Sequence, residues 1–147
     1  MKPATVSVSV GQSPRQVFEF LDLLANHQAF LGHLFTDWGF SGPSRGVGAR
    51  AEARTNVPGS QDWTDFEVIE SEPGRILEEE VGAKGKRRTR NTYLIEEAPG
   101  GGTKISFELA WVEASRWERL LPPLTRAFTR RAYGKAMRRL ARQLKQG

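Results

Sequence analysis

Residues 41 to 51 read SGPSRGVGARA, where two patterns of chemical consequence overlap. Gly42-Pro43-Ser44-Arg45-Gly46 has the G-x-S-x-G spacing, which presents a nucleophilic serine on a sharp strand-to-helix turn. Gly46 to Ala51 fits G-x-G-x-x-A, a glycine fingerprint that lets a helix N-terminus approach a pyrophosphate. Neither pattern suits its surroundings. Hydrolases with that elbow place histidine after serine, whereas His27 and His33, the only histidines, both precede Ser44. The fingerprint must open a helix, yet the stretch from Ala49 to Thr55 is too short to be a stable one. It alternates instead, with Val47, Ala49, Ala51 and Ala53 on one face and Arg50, Glu52 and Arg54 on the other. Gly42 to Gly46 therefore reads as a hairpin turn, and Ser44 as a turn serine.

Other groups could carry proton chemistry. His27, His33 and Asp37 are close in sequence, and histidine titrates near neutral pH. Their six-residue spacing does not put the histidines on one helical face, so a solvated helix end is the simpler reading and no metal site is assigned. Glu78-Glu79-Glu80 must alternate faces on a strand, opposite a basic segment from Lys84 to Arg90, which predicts cross-strand ion pairs. The chain has no cysteine, which excludes disulfides, thiolate metal sites and a cysteine nucleophile.

The elements that position these residues follow from periodicity. Ala4 to Val10 alternates as a strand. Ser13-Pro14 caps and opens a helix carrying Val17, Phe18, Leu21 and Leu24, and a second short helix carries Phe30, Leu31 and Leu34. From Phe35 the period is two, predicting strands near 35–41, 47–56, 61–71, 75–83, 86–97 and 103–113. Gly42-Pro43, Pro58-Gly59, Pro73-Gly74, Gly82 to Gly85 and Pro99 to Gly102 separate them with turn chemistry, which implies an antiparallel meander. Pro122-Pro123 opens a last helix running to about Gln146, with Leu124, Phe128, Tyr133, Met137, Leu140 and Leu144 as its apolar stripe. One domain over residues 1–147 is expected, without an export signal or membrane span, and therefore a cytoplasmic protein.

This order of elements, with the phrases SPRQVFEFLDLLANHQAFLGHLFTDW, GPSRGVGARAEA, FEVIESEPGRILEEE and GGGTKISFELAW, resembles the START-like or SRPBCC superfamily, and within it the polyketide cyclase/dehydrase and lipid-transport group. The resemblance covers nearly the whole chain. It implies an α+β helix-grip fold: a curved antiparallel sheet of about seven strands wrapped around the long C-terminal helix, with two short helices after the first strand. It also implies a small hydrophobic ligand in an internal cavity and carries over no catalytic residue, cofactor or metal.

The inward face of the strands predicts the cavity wall. Successive alanines at 49, 51 and 53 leave volume, while Phe66, Asn91, Tyr93, Phe107 and Trp111 face it, Phe30 and Trp38 also line it, Thr64 sits at the rim and Phe128 closes the top. The same aromatics would equally serve as core. Asn91 is the most informative, because a buried amide needs partners.

The net charge of +5 is concentrated after Glu118, where Arg119, Arg126, Arg130, Arg131, Lys135, Arg138, Arg139, Arg142 and Lys145 meet no acidic residue. No nucleic-acid module is present, so no specific nucleic-acid partner is expected; contact with an anionic membrane or acidic partner is compatible with such a face. The preferred reading is a binder or carrier of a small hydrophobic molecule, lipid or polyketide-like. A cyclase- or dehydratase-type enzyme and an interaction protein using the basic helix are the alternatives. Oligomeric state stays open.

Overall fold

The computed structural model describes residues 1–57 and 61–146. The expected turn at Pro58-Gly59 lies outside the described residues. The elements are β1 (Ala4–Val10), α1 (Pro14–Asp22), α2 (His27–Leu31), β2 (Phe35–Ser41), β3 (Arg50–Thr55), β4 (Trp63–Glu72), β5 (Arg75–Gly82), β6 (Arg87–Glu97), β7 (Thr103–Glu113), α3 (Arg116–Leu120) and α4 (Pro122–Gln146). Seven strands form one sheet in the order β1-β7-β6-β5-β4-β3-β2, every neighbouring pair antiparallel. This is the helix-grip arrangement expected from sequence. Register shifts interrupt the β2–β3, β4–β5 and β6–β7 ladders, the last between Arg88 and Thr89, and such irregularities bend and twist strands locally.

Local chemistry sets the ends of elements. The Ser13 side chain accepts from the Gln16 amide while the Gln16 side chain accepts from the Ser13 amide, and Pro14 takes the first helical position. Such a cap stabilises a helix by about 1 kcal/mol. The same box, Ser115 with Glu118, starts α3, an element not anticipated from sequence.

β3 begins three residues later than expected. Gly46 and Gly48 have φ of 76° and 93°, which breaks the extended run, and Val47 is exposed rather than inward. Gly42 has φ of 72°, and a Cβ there would lie 2.6 Å from the Gly48 carbonyl oxygen. These glycines thus serve the backbone of the β2–β3 loop. α1 pins that loop: the Gly46 amide donates to Asp22, and Arg45 donates to the Glu19 carbonyl.

The core joins the inward face of the sheet to the inner side of α4. Ala49, Ala51 and Ala53 are buried with Phe66, Val68, Tyr93, Ile95, Ile105, Phe107 and Leu109 from the sheet and Tyr133, Met137, Leu140 and Leu144 from α4. α4 packs against β1 and α2. Its apolar stripe is shorter than the sequence suggested. Leu124 lies about half a turn round from Tyr133, and both Leu124 and Phe128 are exposed.

Candidate functional site

The volume beside the alanine strand is filled. Phe66, the cross-strand partner of Ala51, stacks on Trp38 at 5.7 Å and meets Phe35 edge-on at 5.2 Å. Phe30, Tyr93 and Phe107 are also packed in the core: Tyr93 lies 6.3 Å from Phe30 and 5.1 Å from Phe107, centroid to centroid.

Space remains at one end of the sheet. A cleft of about 830 Å³, open to solvent, lies between α3 with the first half of α4 and the ends of β3, β4, β5 and β6. Its rim is apolar, with Val57, Trp117, Leu121, Leu124 and Phe128, and the buried Phe35 lines it further in. Its floor is polar: Thr64, Glu80, Arg87, Glu118, Thr129 and Tyr133. Of the eight residues expected from sequence to line a cavity, this cleft takes Phe128. Phe66 instead borders a smaller, largely charged hollow of about 540 Å³ over β2–β5, among Arg50, Glu52, Asp65, Glu67 and Glu79.

The floor is a continuous network. Arg87, at the start of β6, ion-pairs with Glu80 on β5 and donates through Nε to Glu118 Oε1 at 2.8 Å. Glu118 Oε2 accepts from Trp111 Nε1 at 2.8 Å. Glu80 Oε1 accepts from Asn91 Nδ2 at 2.9 Å, and Thr89 donates to Asn91 Oδ1 at 2.9 Å. Asn91 and Trp111, both expected at the cavity wall, therefore stand behind the floor and orient its carboxylates. Burial pushes the Glu118 carboxyl up, but the Arg87 charge and the bonds from Ser115, Arg87 and Trp111 outweigh it and hold Glu118 below its usual value. Arg87 stays charged between its two carboxylates.

The carboxylate run divides as its alternation required. Glu79 points away and pairs with Arg88, while Glu78 and Glu80 both turn inward and are buried. The expectation of cross-strand ion pairs thus holds for Glu79 and Glu80. Glu78 is different: Oε2 has no hydrogen-bond partner, and burial, then the charge of Glu80, push its carboxyl up to about 8. The Tyr93 hydroxyl is likewise buried without a partner.

The histidines are not a solvated helix end. His27 is buried, because His27, Phe30 and Leu31 share the inner face of α2. Its Nε2–H donates to the Leu21 carbonyl at 2.7 Å, its ring meets Tyr93 edge-on at 5.4 Å, and burial lowers it to about 4. His33 is tied between the Ala132 carbonyl, 2.9 Å from Nε2, and Arg139, 3.3 Å from Nδ1. Asp37 is exposed and sits beside Arg54. Ser44 is exposed on its loop.

Two signals for the site were present in the sequence. Ser115-Arg116-Trp117-Glu118 is a capping box, and it marks α3 as the element that roofs the cleft. Period two from Ile76 turns Glu78 and Glu80 inward, although the adjacent Leu77 and Val81 argue for the opposite parity.

Solved structures of similar shape agree with the fold. A START superfamily protein from Mycobacterium smegmatis superposes with a TM-score of 0.79 at 9% identity, covering 98% of this chain and 97% of that one. An aromatase/cyclase from a Streptomyces species gives 0.76 at 11% identity, covering 98% and 93%. A norcoclaurine synthase point mutant from Thalictrum, solved with a transition-state analogue, gives 0.72 at 14% identity, covering 98% and 96%. No curated protein sequence matches the chain. The family described as polyketide cyclase / dehydrase and lipid transport matches residues 1–145, and the chain belongs to that family.

Proposed function

We propose that this protein binds a small hydrophobic molecule in the cleft under α3 and α4 and carries it without altering it. The supporting observation is the cleft's construction, an apolar lip above a polar floor in a volume of about 830 Å³. Ligand sites of this kind span roughly 300–1,000 Å³, with a few placed polar groups fixing orientation. The floor holds one cation between two carboxylates. An anionic head group would meet net negative charge there. The preferred ligand is therefore neutral, with an apolar body against Phe35, Leu124 and Phe128 and a hydroxyl or carbonyl reaching Thr64 or Tyr133. In this reading Asn91 and Trp111 position Glu80 and Glu118, while Phe30, Trp38, Phe66, Tyr93 and Phe107 support the wall from behind.

One observation favours a second reading. Glu80, Arg87 and Tyr133 converge on a single floor, as a cyclase- or dehydratase-type reaction on a polyketide-like substrate would need. Native mass spectrometry of the purified protein, followed by incubation with the ligand class it identifies, separates the two. A co-purifying neutral lipid or aromatic, recovered unchanged, supports the carrier. Recovery of a cyclised or dehydrated product would overturn it. Among the described residues no helix is long and apolar enough to cross a membrane.

A further inference from the structure

We propose that the corner formed by α3 and the first turns of α4 docks on an anionic lipid bilayer. Between residues 117 and 128 five large apolar side chains stand in solvent: Trp117 is 81% exposed, Leu120 60%, Leu121 57%, Leu124 63% and Phe128 55%. Leu121 breaks the helical path between α3 and α4 and makes the corner that holds them out. A ligand in the cleft does not account for all of this surface, because Leu120 is outside the cleft wall.

Charge identifies the partner. All acidic residues of the chain lie at or before Glu118, so the helix that follows is uniformly cationic. Its exposed edge reads Leu124, Phe128, Arg131, Lys135, Arg138 and Arg142, spacings that keep all six on one stripe. The edge is therefore apolar at the corner and basic along the rest of its length. Arg116 and Arg119 flank the apolar side chains on α3, and among the described residues neither they nor the stripe's cations lie within ion-pairing distance of a carboxylate. Apolar side chains that enter the acyl boundary beside cations that meet lipid phosphates are the two requirements for interfacial binding. A second copy of this chain would bring the same cationic edge against itself, which disfavours self-association through this face. Docking would place the mouth of the cleft on the bilayer, but it does not require the cleft to hold a ligand.

Flotation with phosphatidylcholine vesicles, and with vesicles of phosphatidylcholine and phosphatidylglycerol, tests this. The protein should partition onto the anionic vesicles about tenfold or more better than onto the neutral ones, and lose that preference in high salt. The double variant Arg119→Glu, Leu120→Ser changes only exposed side chains outside the cleft wall. It should lower partitioning by about tenfold or more. Its binding of a hydrophobic fluorophore without vesicles should match wild type, which separates loss of docking from loss of the cleft. Equal partitioning onto both vesicle types, or a double variant that floats like wild type, would overturn the proposal. So would a dimer in sedimentation that the double variant dissociates, since the corner would then be covered by a second copy.

Discussion

The phenol ring of Tyr133 lies 4.3 Å from the ring of Phe107, with the two planes 11° apart. This stack fastens α4 to β7 and separates two environments. Phe107 belongs to the closed core, while Tyr133 borders the open cleft. The aromatics read on the inward face of the strands pack against one another in the core, and the open cleft lies beside them, bordered by Tyr133 and Phe128.

The stack gives a first prediction. Phe107→Ala should destabilise the fold by about 3–5 kcal/mol, the usual cost of emptying a buried aromatic site. Tyr133→Phe keeps the stack and should leave stability nearly unchanged. It should weaken a ligand that uses the hydroxyl by about tenfold or less, the size of one neutral hydrogen bond. Denaturant midpoints and fluorophore competition measure the two effects separately.

The second prediction concerns pH. Glu78 rises from 4.5 to about 8 in the folded protein, so the folded state holds a proton that the unfolded state releases. Its contribution is fully present below about pH 4.5 and is lost as pH rises to about 8. His27 falls from 6.5 to about 4, so its contribution is present above about pH 6.5 and is lost as pH falls to about 4. The two slopes oppose each other between about 4.5 and 6.5, where stability should be flattest. Unfolding curves across pH should show a fall on each side. Glu78→Gln should remove the alkaline fall, and a variant that keeps it would show that another group is responsible.

How much of this was legible in the sequence depended on whether a residue's neighbours shared one period. β6 and β7 alternate without conflict, and Asn91, Tyr93, Ile105, Phe107 and Leu109 lie inward as read. β5 was ambiguous because Ile76 and Leu77 are adjacent and both buried, so the inward turn of Glu78 and Glu80 could not be fixed locally. Their burial depends on Arg87 and Asn91, which reach them across a strand pair. Leu124 and Phe128 look like a continuation of the apolar stripe, but at 100° per residue they fall on the side of the helix away from Tyr133, Met137 and Leu140. Their exposure follows from that spacing, which sets them on one edge with Arg131 and Lys135 instead of with the buried stripe.

The third prediction is that Ser44 has no nucleophilic role. Its flanking glycines are explained by positive φ and by the close approach of Gly42 to the Gly48 carbonyl. A fluorophosphonate probe should leave the protein unlabelled, and Ser44→Ala should bind ligand as wild type does. Stoichiometric labelling at Ser44 would contradict this.

The last prediction contrasts two tryptophan substitutions. Ala51 is buried opposite Phe66, with Trp38 and Phe35 already filling the adjacent space. Ala51→Trp should therefore overpack the core and destabilise by about 1–3 kcal/mol or more. Ala132 is only half-buried on α4 and borders the cleft. A tryptophan there can occupy existing space, so stability should change by no more than about 0.5 kcal/mol. The indole would cover the approach to Thr64 and Tyr133 and should weaken fluorophore binding by about tenfold or more, as loss of one buried contact region does. If Ala132→Trp binds the fluorophore as tightly as wild type, the ligand does not enter by this cleft. If Ala51→Trp is as stable as wild type and loses binding, the working volume lies beside the alanine strand instead.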